Sequence, residues 1–208
     1  MPTVDSAHWN AVYRARDEEA LTWFEAEPAL SLALIREHAA PGDPILDVGG
    51  GASRLVDRLV EAGLGPVTVL DLSAEALRAS QERLGARAGE VTWIAADVTR
   101  EAPAGPFAVW HDRAAFHFLT DAADRAAYAR ALAAALRPGG TAIIATFAED
   151  GPERCSGLPV HRWSPEGLAA EFEALAPGLL HPAGARRILH RTPKGAEQRF
   201  QVSVFWRA

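Results

Sequence analysis

Ile45-Leu46-Asp47-Val48-Gly49-Gly50-Gly51-Ala52-Ser53-Arg54 runs from an apolar stretch through three glycines into a helical pattern. An apolar run that ends in glycines and opens a helix is the signature of a strand-to-helix turn at which a ligand approaches the main chain. The helix that follows is marked by Leu55 and Leu59, with Val56 and Val60 beside them. Four further apolar runs alternate with helical patterns: Val67–Leu70, Val91–Ile94, Phe107–Trp110 and Thr141–Ala145. Short, almost uninterrupted apolar runs suit strands covered on both faces, as in a parallel sheet.

The helices between them follow the same logic. Ser73 is placed to N-cap a helix carrying Glu75, Ala76, Leu77 and Leu84. Tyr128, Leu132 and Leu136 fall at i, i+4 and i+8 of another, which is expected to stop at the turn signal Arg137-Pro138-Gly139-Gly140. Alternation of this kind predicts a doubly wound, Rossmann-like α/β sheet with right-handed crossovers and helices on both faces. The ends differ. Residues 5–40 read as a helical cap carrying Trp9, Tyr13, Trp23 and Phe24. Near the other end, Arg187–His190 and Phe200–Trp206 read as strands joined through Lys194-Gly195, an antiparallel hairpin at the sheet edge. That makes seven strands, mostly parallel. The expected organisation is one domain over 1–208: a cap (1–40), a cofactor-binding core (44–147), and an acceptor-side loop with the hairpin (148–208).

Composition narrows the partners. Across 208 residues the hydrophobic share is 49% and the charged share 23%, as in ordinary globular domains. A net charge of −6 argues against nucleic acid, whose non-specific binding requires a basic face. Cys155 is the lone cysteine, so no intrachain disulfide can form and a reducing, cytoplasmic setting is expected. The start at Met1–Asp5 has no signal-peptide pattern, and no apolar run reaches the roughly 18 residues of a membrane span. Lys194 is the sole lysine among twenty-one basic residues, which reads as composition bias.

Three carboxylates surround the glycine turn in this reading. Asp47 precedes it, Asp71 ends the second strand, and Asp97 follows the third. At the end of a second strand an acid can accept ribose hydroxyls. Asp97 is placed to meet an adenine amino group. Dinucleotide loops favour G-x-G-x-x-G, but the sixth position from Gly49 is Arg54. Asp47 would also repel a pyrophosphate while tolerating an ammonium. The ligand chemistry that fits is a nucleoside with a positive charge and no phosphate, which demotes an NAD(P)-dependent oxidoreductase and leaves a non-catalytic Rossmann-like binding module as a further alternative.

In order and spacing, Leu46–Ser53, Leu70-Asp71-Leu72-Ser73, Ala96-Asp97-Val98 and Leu136–Gly140 resemble the motifs of class I S-adenosylmethionine-dependent methyltransferases. Ser53 departs from the glycine many relatives carry there. His8-Trp9-Asn10-x-x-Tyr13, Trp110–Thr120, Cys155–Val160 and Thr192-Pro193 resemble, more narrowly, small bacterial enzymes related to protein-lysine methyltransferases. The resemblance implies S-adenosyl-L-methionine as cofactor, held by Asp47, Gly49, Gly50, Gly51, Asp71, Leu72, Asp97 and Val98. His111, Arg113, Trp9 and Tyr13 complete the implied pocket. It also implies methyl transfer to a small-molecule or protein side-chain acceptor. Aromatic faces attract sulfonium, so Trp9, Tyr13, Trp23 and Phe24 either cap the cofactor or pack on the core. His117 is the candidate general base, with packing at a helix start as the alternative. Cys155 lies in a loop where acceptor pockets close, or is a structural thiol. Asp112 lacks companion ligands, so no metal is expected. The Asn/Asp-Pro-Pro-Tyr/Phe motif of nucleic-acid and glutamine methyltransferases does not follow the fourth strand.

Overall fold

The computed structural model describes residues 5–208. Seven strands form one sheet in the order β3-β2-β1-β4-β5-β9-β8. Their ranges are β1 Ile45–Val48, β2 Val67–Asp71, β3 Val91–Ala95, β4 Phe107–Arg113, β5 Leu136–Phe147, β8 Leu180–Arg191 and β9 Glu197–Arg207. The first five are parallel, while β9 runs antiparallel to both β5 and β8. A two-stranded ribbon, β6 Arg154–Cys155 with β7 Leu158–Pro159, sits outside the sheet.

Side-chain alternation along the strands divides the core in two. Leu46, Trp110, Ile144 and Phe205 face α5 (Ala122–Ala135) and α6 (Pro165–Leu175), packing on Tyr128, Leu132, Leu168 and Phe172. Ile45, Val109, Ile143 and Val204 face the other way, onto α2 (Ala29–His38), α3 (Leu55–Glu61) and α4 (Ala74–Leu84), where Leu34, Ile35, Val56, Leu59 and Leu77 meet them. Both faces of β1, β2 and β4 therefore need apolar residues, which accounts for the nearly unbroken apolar runs there. Burying one such large aliphatic side chain is worth about 1.5–3 kcal/mol, so the two layers carry most of the fold's stability.

Helix starts follow the capping chemistry. Ser73 caps α4 by accepting from the Ala76 N–H at 3.1 Å, Asp121 caps α5 through Ala123, and Ser164 caps α6 with Pro165 in the first turn. α1 (Ser6–Ala15) begins at Asp5, whose carboxylate accepts from the His8 N–H.

Four expectations need correction. Residues 5–40 are not continuously helical. α1 and α2 flank a 3₁₀ turn at Glu18–Ala20 and an extended passage ending at Pro28, whose ring bars a helical residue before it. The helix α5 does end at Ala135, just ahead of Arg137-Pro138-Gly139-Gly140, but that stretch lies inside β5. It is absorbed as an irregularity inside the strand, with Gly139 at φ +73° and the register to β4 shifting there. Leu136 accordingly belongs to β5 and not to the preceding helix. Residues 148–208 also hold α6, not only a loop and a hairpin. The hairpin strands are longer than expected because β8 is an edge whose exposed residues follow no apolar alternation.

Candidate functional site

Strand register places the polar residues of the site. Asp47 in β1 lies beside His111 in β4, and Val48 beside Asp112. Because alternate side chains point to opposite faces, Asp47 and His111 share one face while Asp112 occupies the other. His111 Nδ1 stands 2.7 Å from Asp47 Oδ1 and Nε2 stands 2.9 Å from Ser31 Oγ on α2, so the three form a buried chain. Asp47 Oδ2 is buried without a partner. On the opposite face, Trp110 Nε1 donates to Tyr128 Oη at 2.8 Å, and Tyr128 Oη donates to Asp112 Oδ2 at 2.7 Å. The Asp112 carboxylate also receives the Ala115 and Phe116 N–H groups. It thereby fixes the chain leaving β4. Burial raises the Asp112 carboxyl to about 6 even against the Tyr128, Ala115 and Phe116 hydrogen bonds that lower it.

The glycine turn lies at the carboxyl ends of β1 and β2. A Cβ on Gly50 would stand 2.5 Å from Asp47 Oδ2. One on Gly51 (φ +41°) would stand 2.8 Å from Asp71 Oδ2 and 2.9 Å from Tyr13 Oη. Only bare backbone fits between those oxygens. Asp71 Oδ1 accepts from the Ser73 N–H at 2.7 Å. Burial raises the Asp71 carboxyl to about 7; the Ser73 N–H opposes the rise and nearby Asp47 adds to it. Asp97 Oδ1 accepts from Thr99 N–H and Oγ1. Its other oxygen is 3.4 Å from Arg100.

Gly49, Asp71, Asp97 and Tyr128 open on one cleft enclosing about 820 Å³ of empty space, open solvent included. Val48, Gly49, Leu70, Asp71 and Leu72 line it from β1 and β2, and Ala96, Asp97 and Val98 from the end of β3. Trp9, Tyr13 and Trp23 roof it, with Arg113, Phe118 and Cys155 on the side walls. The aromatic roof is edge-to-face: Trp9 to Trp23 at 5.7 Å and Trp9 to Phe118 at 5.1 Å between centroids. Asn10 ties α1 to the start of α4 by accepting from Ser73 Oγ at 2.8 Å, and Arg14 pairs with Glu75 at 2.7 Å. Phe24 packs apart, under the Arg54 guanidinium at 5.8 Å.

Most of the residues expected around the cofactor meet in this cleft. Asp47, Gly50 and His111 instead line a smaller adjoining recess with Ser31 and Arg113, while Gly49 lies on the boundary of both. His117 is fully buried and does not line the cleft. Its Nδ1 accepts from the Phe147 N–H at 3.2 Å, and burial, with Arg113 adding to it, lowers the imidazole to about 3. Among the described residues no cluster of three or more His, Cys, Asp or Glu is arranged for a metal ion. Ser31, eighty positions from its partner His111, gave no sequence signal. Neither did the latch beside it: Arg113 donates to the Trp23 carbonyl and pairs with Glu25, and Glu25 lies 3.4 Å from His190.

A mostly parallel sheet of this order thus carries a glycine turn with acids in or just beyond its first three strands. Residues 45–140 match the family described as Methyltransferase domain. That match covers a little under half of the chain. The chain is 26% identical over 147 residues to an eEF1A lysine and N-terminal methyltransferase of Danio rerio, a match covering 69% of this chain and 21% of the relative. It thus spans about a fifth of that relative's length. Among solved structures, one concerns conversion of a disulfide bond into a thioacetal group during echinomycin biosynthesis (TM-score 0.76, 24% identity, 97% and 92% of the two chains). Another is a 1,6-didemethyltoxoflavin-N1-methyltransferase of Burkholderia thailandensis with S-adenosylhomocysteine (TM-score 0.71, 22% identity, 100% and 92%). At those identities the likeness is one of fold.

Proposed function

We propose that the protein transfers a methyl group from S-adenosyl-L-methionine to a small-molecule or protein side-chain acceptor. The observation that carries this reading is the bare glycine backbone of Gly50 and Gly51 packed against Asp47, Asp71 and Tyr13, beside a cleft lined by Gly49, Tyr13, Asp71 and Asp97. The residues fit the cofactor: an unpartnered buried carboxylate oxygen at Asp47 suits an ammonium, and Asp71 can accept ribose hydroxyls. Asp97 and Val98 would meet the adenine, with Leu72 against the nucleoside. When bound, the cofactor supplies a methyl carbon already activated by its sulfonium.

What remains for the chain's own residues is alignment and exclusion of water. Trp9, Tyr13 and Trp23 roof the reacting end, and their faces favour a sulfonium beneath them. Arg113, held by Glu25 and the Trp23 carbonyl, braces the roof. His111 fixes Asp47 through Nδ1 and is itself fixed by Ser31. We assign His117 to holding the end of β5 through Phe147 rather than to proton transfer. The whole chain reads as one catalytic domain. Its acidic balance argues for an acceptor other than nucleic acid, and its single cysteine suits the cytoplasm. No described helix is long and apolar enough to cross a membrane.

Isothermal calorimetry with S-adenosylmethionine, S-adenosylhomocysteine and NAD tests the reading. Both sulfur compounds should bind and NAD should not. Failure of both to bind below about millimolar, a level at which binding is worth only about 4 kcal/mol, would sink it.

A further inference from the structure

The cleft has a nucleoside end, at Leu70–Leu72 and Ala96–Val98, and an apolar end. Trp9, Phe118 and Cys155 form the apolar end and belong to one buried cluster with Phe147, Leu158 and Phe200. Among the described residues the ionisable groups lining the cleft are Tyr13, Asp71, Asp97, Arg113, Tyr128 and Cys155. None is free to take a proton from an acceptor near neutrality. Asp71 and Asp97 stand at the nucleoside end. Arg113 is a permanent cation committed to Glu25 and the Trp23 carbonyl. Tyr128 donates its proton to Asp112. Burial, with Asp71 close by, pushes the Tyr13 phenol upward, and burial pushes the Cys155 thiol to about 12. His111 is engaged by Asp47 and Ser31 in the adjoining recess, and His117 has its Nδ1 occupied by Phe147 and no place in the lining.

A lysine ammonium entering such a place must surrender hydration and a proton with no group to receive either. A flat molecule whose accepting atom is already deprotonated needs no base, and the aromatic wall replaces water along its body. We propose that the acceptor is a small molecule with a planar, apolar body whose accepting atom arrives without its proton, as a thiolate or a ring nitrogen. This deepens the methyltransferase reading of the same cleft and rests on it. The accepting atom's lone pair forms a bond to the methyl carbon while the carbon–sulfur bond breaks and its electron pair stays on sulfur, leaving neutral S-adenosylhomocysteine. A thiol surrenders its proton to solvent before entry, so a thiolate becomes a neutral thioether; a ring nitrogen becomes a methylated cation.

The test uses 4-nitrothiophenol, the less acidic 4-methylthiophenol and a lysine peptide, each at saturating S-adenosylmethionine. Two readouts are taken: S-adenosylhomocysteine release against pH, and calorimetric binding of each probe to the preformed S-adenosylhomocysteine complex. Both thiols should bind and turn over. The inflection of kcat/KM should move to lower pH for the nitro compound, because it belongs to the acceptor and not to the protein. Phe118→Leu should raise KM for both thiols about fivefold through loss of the aromatic face while leaving S-adenosylhomocysteine affinity unchanged. An inflection fixed at one pH for both thiols overturns the proposal. So does a complex that methylates the peptide while rejecting the thiols, or one that binds S-adenosylhomocysteine and accepts none of the three. If S-adenosylhomocysteine itself does not bind, the underlying reading falls and takes this one with it.

Discussion

Asp71 concentrates the site's electrostatics. Buried, and with Asp47 nearby, its carboxyl is raised to about 7 from an ordinary value near 3.8. Two pH effects of opposite sign follow. Between those values the folded chain holds a proton that the unfolded chain has released, so this group's contribution to stability declines as pH rises toward 7. Ribose hydroxyls donate best to the ionised form, so cofactor affinity should rise over the same interval. Calorimetry should show S-adenosylhomocysteine affinity falling by up to about tenfold per pH unit below 7, which is about 1.4 kcal/mol per unit. Asp71→Asn should weaken binding by about 1–3 kcal/mol at pH 8 and flatten the profile. A variant that binds like wild type, with its fold intact, refutes the ribose assignment. The acid itself was legible in sequence as the end of an apolar run. Its raised pKa was not, because burial beside the Asp47 field exists only once β1 and β2 are paired.

At the scale of elements, β4 and α5 are joined by the Trp110–Tyr128–Asp112 chain, which anchors the segment that gives Ala114, Ala115 and Phe118 to the cleft. Tyr128→Phe keeps the ring and its packing against Phe116 at 4.9 Å but leaves Trp110 Nε1 and one Asp112 oxygen short of a partner. The expected cost is about 1–3 kcal/mol, read as a fall in melting temperature of about 2–4 °C per kcal/mol for a chain of this size. A melting point within a degree of wild type would mean water replaces the hydroxyl. The inner parallel strands are readable from the sequence because strands covered on both faces demand apolar residues at most positions, and β3 is readable from its β-branched and aromatic residues although it is an exposed edge. The edge strand β8, the β5 irregularity and α6 were harder to read. β8 is mostly exposed and follows no apolar period. Pro138 and Gly139 signal a turn wherever they stand, and only pairing with β4 shows that the strand accommodates them. α6 does leave a trace, Ser164-Pro165 followed by Leu168 and Phe172 four apart, but it is weaker than the hairpin signal that follows it. Likewise Asp47 and His111 were each visible as polar residues in strands, whereas the register that makes them neighbours was not.

For the whole molecule, the contrast between a doubly layered core and a polar-fastened roof decides how the cleft opens. The sheet is held by apolar packing on both faces, while residues 6–25 are held by Asn10 on Ser73, an Arg14–Glu75 pair, Arg113 on Trp23 and Glu25, and the aromatic contacts of Trp9. Arg14 is 64% exposed, so its ion pair contributes little, about 0–1 kcal/mol at most. Regions with few buried apolar contacts open first, and the roof should exchange its amide hydrogens long before β1, β4 and β5 do. Ligand at a hundred times its dissociation constant stabilises the folded state by about 2.7 kcal/mol. Saturating S-adenosylhomocysteine should therefore raise the melting temperature by about 5–11 °C. Hydrogen exchange followed by mass spectrometry should place the largest new protection on residues 6–25 and on the 47–53 turn, and little on β8 and β9. Asn10→Ala should preserve the protection of the turn and reduce that of the roof, because it unfastens α1 without touching the glycine backbone. Protection spread evenly over the sheet, with the roof unchanged, would mean that the roof stays shut in the free protein and that ligand enters by another route.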